Sequence, residues 1–596
     1  MCSVTIENFF RAISNIHIPM ELERGTLVQW FSRCLWSRLT FVTAALFMGH
    51  CELIARDSLK LEVAAVFETG QFKKSAAEIP AFCPQAQNVF VVNAESGRVD
   101  VFSLRSDGTL FDRGTIAARD DLQQGMAAVN SVSVFNGTLA VAVEAAEKTE
   151  PGAVVFYDTK TLALKGSVMA GSLPDMVTFS PNGRWLLVAN EGEPNETATV
   201  DPEGTITIVD LANGFDDPPV TTVTFRDWNT DGRRAAELPD LMKRGLRHFG
   251  TVGLDQTGGQ SRPATFAEDM EPEWITVSPD SRHAYVCLQE ANAVAEIDIA
   301  EARVNRIIPL GFKDHGLEGM GLDVSDKDSA VAIKPWPQLF GVYQPDAIRL
   351  YQQGGRTLLV TANEGDSRLR PTSDDAVPGI AEGKILSDEA SLNDWPVAGT
   401  PFASYTSDTQ LGRLKLVRDL VDRHLDTEGK PTKLFCFGGR SFSIFDVTSG
   451  HRIFDSGDAF EKMTAERFPK HFNVSNDSLK TEKRSRSKGP EPEALVLGEI
   501  AGRTYAFIGL ERIGGIMVYD ITIPESSRFV GYFTNRRFDV PATLPDGSSN
   551  PEAGDSGPEG LAFVPAAQSP TGTDLLIVAN ETSGTTTVWN VTAGDE

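Results

Sequence analysis

Histidine is scarce in this 596-residue chain, eight in all, and none is clustered. A zinc hydrolase needs several imidazoles converging on one ion, and no HExxH run is present. Six cysteines occur without a single CxxC pair, which excludes zinc-finger and thioredoxin-type sites. Cys83, Cys287 and Cys436 each stand alone in an apolar run and read as small buried hydrophobes. GxSxG and P-loop sequences are missing too. Positive charge is in short supply: 55 Lys and Arg face 82 Asp and Glu, for a formal net charge of −27. Sequence-independent nucleic-acid binding needs a basic face, so no nucleic-acid partner is expected. The acid excess suits cations, cationic surfaces or plain solubility.

Long apolar runs are lacking as well. The run "LTFVTAALFMG" (Leu39–Gly49), preceded by Arg33 and Arg38, is too short to span a bilayer but fits a signal-peptide core. Residues 1–58 are therefore expected to form an N-terminal extension with a signal peptide; a cytosolic chain with a stray apolar segment is the alternative. No later stretch is long enough for a transmembrane helix, and from the end "VWNVTAGDE" no C-terminal anchor is expected. The expected location is secreted, extracellular or periplasmic. Sequons at Asn136, Asn195, Asn473, Asn476, Asn580 and Asn590 matter if the source glycosylates.

What the sequence has in quantity is short strands broken by turns, with Gly at 52 and Pro at 33. One unit reads "DMVTFSP", "NG", "RWLLVANE", "TITIVDL", "VTTVTF", which is four strands. Second strands recur as "NVFVVNAE", "TLAVAVE", "WLLVANE", "HAYVCLQE", "TLLVTANE", "TYAFIGLE" and "LLIVANE". Third strands recur from "RVDVFSL" through "TTTVWNV". Seven four-stranded repeats predict an all-β fold, a seven-bladed β-propeller over residues 59–596. The last repeat lacks a fourth strand, and "LKLEVAAVFETG" (Leu59–Gly70) is a strand without a repeat. The N-terminal strand is expected to close the last blade and remove the open edge. A solenoid of hairpins is the alternative fold. Insertions fall near residues 215–271, 366–433 and 460–489. The first holds a short helix in "AELPDLMKRGLRHFG", the second an amphipathic helix in "GRLKLVRDLVDRHL", and the third reads as a mobile charged surface loop.

An acid opens most first strands and another closes most second strands. A hairpin brings those two ends together. Asp175 thus falls beside Glu191, Glu273 beside Glu290, Asp346 beside Glu364, Glu493 beside Glu511, and Glu559 beside Glu581. Repeats one and two keep partial versions, Glu78 with Glu95 and Asn130 with Glu144. In a propeller the first strands line the central channel, so their starts form a carboxylate ring at one mouth. Crowded carboxylates repel unless a cation intervenes, and Ca²⁺ takes oxygen ligands in flexible geometry. The same acids would otherwise cap turns or pair with neighbouring Arg and Lys. Lys313, His315, Arg368, Arg440 and Arg512 are placed near the same face, where the planar Arg fork suits a phosphate or carbonate oxyanion. Salt bridges are the simpler use of each Arg. Asp323, Asp326 and Asp328 lie close in "LDVSDKDSA" without the EF-hand pattern, and read as a solvated acidic loop.

The stretches "FETGQFKKSAAEIPAF", "FVVNAESGRVDVFSL", "PDMVTFSPNGRWLLVANEGEPNE", "YQPDAIRLY", "LLVTANEGDSR", "GGRSFSIFD" and "GPEGLAFV" together resemble the choice-of-anchor I domain. That domain is shared by bacterial secreted proteins and the mesenchyme-specific cell-surface glycoproteins of biomineralising animals. The resemblance runs from about Leu59 to Val591. It implies an extracellular or surface propeller, linked in animals to calcium-carbonate skeletons; some bacterial members are labelled alkaline phosphatase-like. The expected function is a monomeric secreted or surface matrix protein whose mouth binds Ca²⁺. Its expected ligands are Asp175, Glu273, Asp346, Glu493 and Glu559, with Glu191, Glu364, Glu511 and Glu581 in a second ring. One alternative is a metal-dependent phosphoesterase, with Lys313, Arg368, Arg440 and Arg512 on the phosphoryl oxygens. Another is a metal-free protein-interaction scaffold.

Overall fold

The computed structural model describes residues 59–122, 125–195, 200–249, 253–254, 261–370 and 386–594. The apolar run Leu39–Gly49 and the rest of residues 1–58 lie outside them. Leu59–Thr592 form one compact unit. No helix among the described residues is long and apolar enough to cross a membrane.

Strands dominate, and seven four-stranded antiparallel sheets follow one another along the chain. The first is Pro80–Cys83, Asn88–Asn93, Arg98–Leu104 and Leu110–Ile116. The second runs from Met126–Phe135 to Leu164–Ser172, and the third from Pro174–Phe179 to Val220–Thr224. The fourth spans Pro272–Val277 to Arg303–Pro309, the fifth Ile348–Gln353 to Arg452–Asp455, and the sixth Pro492–Ile500 to Arg528–Phe533. The seventh is Pro558–Val564, Asp574–Asn580 and Thr585–Ala593, with Leu59–Glu68 as its outer strand. Inner strands are covered on both faces: every residue of Asn88–Asn93 is buried. Such strands read as continuous apolar runs because sheets stack against them on both sides. Outer strands face solvent, as in Leu110–Ile116, where "FDRGT" is exposed.

First strands contact one another in order from the first sheet to the seventh, and the seventh contacts the first. At that seam Gly560 packs against the chain leading into the first sheet; a Cβ there would lie 2.4 Å from the Glu78 carbonyl oxygen. Gly560→Ala is expected to destabilise the fold by about 1–3 kcal/mol, because both partners are constrained backbone. Urea unfolding checks this, and an unchanged midpoint would mean the seam has slack.

In four sheets the first hairpin starts with a proline and then slips register. Pro174 pairs with Asn190, Pro272 with Leu288, Pro492 with Leu510 and Pro558 with Asn580, and the slip follows at once. Proline has no N–H to give and suits a strand's first position. The residue after it, Asp175, Glu273, Glu493 or Glu559, occupies the bulge, a device that re-aims a side chain. Ahead of three of these prolines the backbone turns left-handed, with φ of 50° at Leu173, 54° at Glu491 and 72° at Gly557, and it does the same at Gln344, with φ of 42°, ahead of Pro345.

Two insertions differ from their sequence reading. In "GRLKLVRDLVDRHL" the expected helix shrinks to Arg418–Asp422. Leu416–Val417 joins a five-stranded sheet instead, with Glu389–Ala390, Leu434–Phe437, Leu339–Val342 and Phe312–Asp314. Backbone groups spent on that sheet are lost to the helix. This sheet carries its own core of Trp336, Phe402, Leu411 and Phe435. The segment 460–489, expected as a surface loop, packs inward. It forms the helix Ala459–Arg467 and buries Asn473, Asn476, Ser485 and Ser487. Its polar groups find internal partners, including Asn473 Nδ2 to Glu461 at 2.8 Å. The sequons at Asn473, Asn476 and Asn580 are therefore buried, whereas Asn136 is exposed in a hairpin turn.

Candidate functional site

The bulge acids and the acids ending the second strands meet at one end of the sheets. Backbone contacts hold the second set: the amides of Glu191, Glu511 and Glu581 donate to Leu173, Glu491 and Gly557 carbonyls at 2.9, 2.9 and 2.7 Å. Glu78, Asn130, Asp175, Asp346 and Glu559 line a central cavity of 290 Å³. A second cavity of 360 Å³ adjoins it through shared Ile79, Ser131, Met176 and Trp274, and takes Arg349 into its wall. Carboxylates at the starts of four sheets, the first, third, fifth and seventh, thus face one passage. Burial raises the carboxyl of Glu78 to about 8, helped by Glu581 and Asp175 and opposed by a bond from Ser75. Burial, Glu193 and Glu144 raise Asp175 to about 7. Asp346 and Glu559 are pushed well above the carboxylate range, by burial first and then by Glu364 and Glu581 respectively.

The tightest group is Glu364, Glu493 and Glu511, where one carboxylate oxygen from each lies within 4.8 Å of the others. Glu364 accepts from Gln289 Nε2 at 2.9 Å and pairs with Lys488 Nζ at 2.6 Å. Glu511 accepts from Asn476 Nδ2 at 3.0 Å and pairs with Arg512. Glu493 Oε2 is sealed from solvent with no hydrogen-bond partner among the described residues. Burial, then Glu511 and Glu559, drives the Glu493 carboxyl well up. Behind the group lies fully buried Glu491, gripped by Arg484, by Arg512 at 2.7 Å and by Lys488 at 3.3 Å. Burial opposes its charge, but the three cations outweigh burial and hold it well below the usual range. All-oxygen donors suit a hard cation, and Lys488 and Arg512 offset only part of the negative charge.

The cationic candidates scatter. Arg512 touches the group. Arg368, buried, sits outside it on Asp269 and on Glu271 at 3.0 Å. Arg440 is spent on the carbonyls of Asp323, Ser485 and Ser487 at 2.7, 2.8 and 2.9 Å and on Glu461 at 2.6 Å. Lys313 donates to the Gly439 and Gly457 carbonyls at 2.8 and 2.7 Å and meets Asp455 at 3.3 Å. Burial and the nearby Lys313 push the His315 imidazole down to about 3, so it is neutral. Asp323 is not the solvated acid expected: it is buried and caps its own loop through the Ser325 and Ala332 amides. Asp326 is paired with Arg413 at 2.8 Å. Glu95 stands off the ring in an exposed pair with Lys74, while Asn130 reaches Glu144 at 3.5 Å.

Sequence reading missed Lys488, Glu491, Gln289 and Asn476. Lys488 ends a basic run that looks solvated; the signal for it was "SKGPEPE", a Lys and a left-handed Gly489 directly ahead of a first strand.

A family model for the choice-of-anchor I domain matches residues 78–524, and the chain belongs to that family. It is similar to the mesenchyme-specific cell surface glycoprotein of Strongylocentrotus purpuratus, 31% identical over 52% of this chain and 41% of that protein. It is also similar to Gigasin-3a of Magallana gigas, 30% identical over 31% of this chain and 62% of that protein. The matches thus span less than two thirds of either relative. Among solved structures, Kuenenia stuttgartiensis hydrazine synthase aligns at a TM-score of 0.40 and 13% identity, over 88% of this chain and 98% of that one. A mitotic checkpoint complex chain aligns at 0.39 and 9%, over 89% and 93%. Both scores are too low to carry weight.

Proposed function

We propose that this chain is an extracellular, seven-bladed β-propeller whose mouth holds Ca²⁺ between carboxylates of adjacent blades, and that it serves as a surface or matrix protein. The cyclic contact of seven first strands supports the propeller. The carrying observation for the ion is the convergence of Glu364, Glu493 and Glu511 within 4.8 Å. Glu493 has an orphaned buried oxygen, and a hard cation satisfies it where protein donors do not. Relatives named as a cell surface glycoprotein and a gigasin favour the surface setting.

Calorimetry with Ca²⁺ tests the reading. Glu493→Gln keeps the shape and removes the charge; it is expected to weaken binding at least tenfold, about 1.4 kcal/mol. Glu95→Gln, off the ring, is the control. Equal affinity in Glu493→Gln and the native chain would overturn the site. Because Arg512 touches the group, the same preparations should be offered a phosphomonoester. Chelator-sensitive turnover lost in Arg512→Met would replace the matrix reading with a phosphoesterase. Absence of both binding and turnover would leave a metal-free scaffold.

A further inference from the structure

We propose that the five-stranded sheet carries a binding site for a small aromatic anion, in a cleft of 460 Å³ that it shares with two short helices. The cleft has no residue in common with the carboxylate mouth. Leu238–Lys243, in the 215–271 insertion, supplies Met242 and Lys243. Arg418–Asp422 and the residues just after it supply Leu420, Arg423 and His424. Strand register builds the rest. Phe340 pairs directly with Phe435, and Phe312 pairs with Val342, two residues on from Phe340. Paired residues share a face, and alternate residues along a strand return to it. Phe312, Phe340 and Phe435 therefore lie on one side of the sheet. Ring centroids are 4.9 Å apart for Phe312 and Phe435 and 5.6 Å apart for Phe340 and Phe435. Lys433 precedes the Phe435 strand, and its Nζ lies 5.3 Å from the Phe340 centroid.

Two observations define the ligand. The first is the aromatic patch. Phe435 is buried, but Phe312 and Phe340 are only half-buried, so part of each ring faces the cleft. A ligand ring laid against them, offset or edge-on, takes that apolar surface out of water. The volume of 460 Å³ falls within the range of about 300–1,000 Å³ for small-molecule clefts. Three rings in one patch beside two short helices make a footprint for one ring system rather than an extended chain. The second observation is charge. In a chain of net charge −27, none of the described residues lining this cleft is an acid, and Lys243, Lys433, Arg423 and His424 all line it. Arg423 is already engaged, by Asp419 at 3.0 Å and by the His248 carbonyl at 2.5 Å. Lys243 and Lys433 pair with no carboxylate among the described residues, whereas Lys430, three residues before Lys433, pairs with Glu428 at 2.6 Å. His424 Nδ1 donates to the Leu420 carbonyl at 2.8 Å, which leaves Nε2 as the ring's remaining polar atom. An exposed ion pair contributes modestly. Ring contact therefore supplies most of the affinity, and the two unpaired ammonium groups together select an anion.

Competition on the full chain tests this. Anilinonaphthalene sulfonate, which brightens in apolar sites, is the probe. The native chain should bind it saturably, and 2-naphthoate should displace it. Naphthalenemethanol, which keeps the ring and lacks the charge, should compete about fivefold more weakly than 2-naphthoate, and acetate, which lacks the ring, at least tenfold more weakly. The double variant Lys243→Gln with Lys433→Gln should weaken 2-naphthoate about fivefold and leave naphthalenemethanol unchanged, so that the two compete equally. Phe340→Leu should weaken both naphthyl compounds alike. A double lysine variant that holds 2-naphthoate as tightly as the native chain would overturn the site, as would a native chain with no displaceable probe. Acetate competing as well as 2-naphthoate would reduce the site to plain charge attraction and overturn the aromatic ligand. A short acidic peptide with one phenylalanine that displaces the probe better than 2-naphthoate would replace the small ligand with a protein partner. Native near-ultraviolet dichroism of each variant certifies the fold.

Discussion

Arg368→Met is expected to destabilise the folded chain by about 3–5 kcal/mol, the cost of stranding buried carboxylates when their shared cation is removed. Arg368 lies at 5% exposure between Asp269, buried completely, and Glu271, at 4%. It also donates to the Asp269 carbonyl at 2.7 Å, so one side chain ties the 215–271 insertion to the end of the fifth sheet's second strand. Burial resists ionisation of Asp269, but Arg368 and then His248 outweigh it and hold the carboxyl below its ordinary value. Without the guanidinium, Asp269 Oδ2 still meets the His248 ring and the Phe249 amide, each at 2.7 Å, but neither replaces the lost cation at Oδ1. Urea unfolding reads the loss. A variant as stable as the native chain, yet failing in phosphomonoester turnover, would move Arg368 from a structural pin to a substrate contact.

The second large effect is a stability that falls with pH when divalent ions are chelated. Glu78 is held up to about 8 and Asp175 to about 7. In the unfolded chain both titrate near their ordinary values of 4.5 and 3.8. Across the window from about 4 to about 8 the native state therefore binds more protons than the unfolded state. Linkage then makes stability decline as pH rises through that window and level off above it. For a chain of this size a few kcal/mol corresponds to roughly 5 °C in Tm. Ca²⁺ should flatten the decline, since a ligand that binds only the native state stabilises it, and carboxylates bind it ionised. Calorimetric scans at several pH values, with chelator and with Ca²⁺, check both arms. A chelated Tm that rises with pH would contradict the buried, mutually repelling ring.

Much of the ring was legible in advance because hairpins are local. Asp175 comes back beside Glu191 through a two-strand turn that "SPNG" announces, and Glu493 returns to Glu511 the same way. The bulge after each proline was not legible; "PE" before an apolar run does not say that the acid drops out of register. Nor was Gln289 distinguishable from Glu290, since a one-residue difference in where a strand ends decides which reaches which neighbour. The helix expected over "GRLKLVRDLVDRHL" failed for a related reason: its apolar spacing is real, yet Leu416 finds a strand partner in Cys436, far along the chain.

The chain's own pattern of apolar runs, turns and prolines determined that there are repeated four-stranded units and that acids gather at one end of their hairpins. Those contacts join residues close in sequence, so period-two side-chain placement and turn chemistry suffice. Only tertiary structure decided which acids from different sheets share a site, and which cations answer them. Lys488 reaches Glu364 across 124 residues and Gln289 reaches it across 75. Arg440 and Lys313 are drawn instead into the packing of the insertions. Electrostatics acts through space, and the spatial neighbours of a buried carboxylate are set by how the sheets and insertions pack.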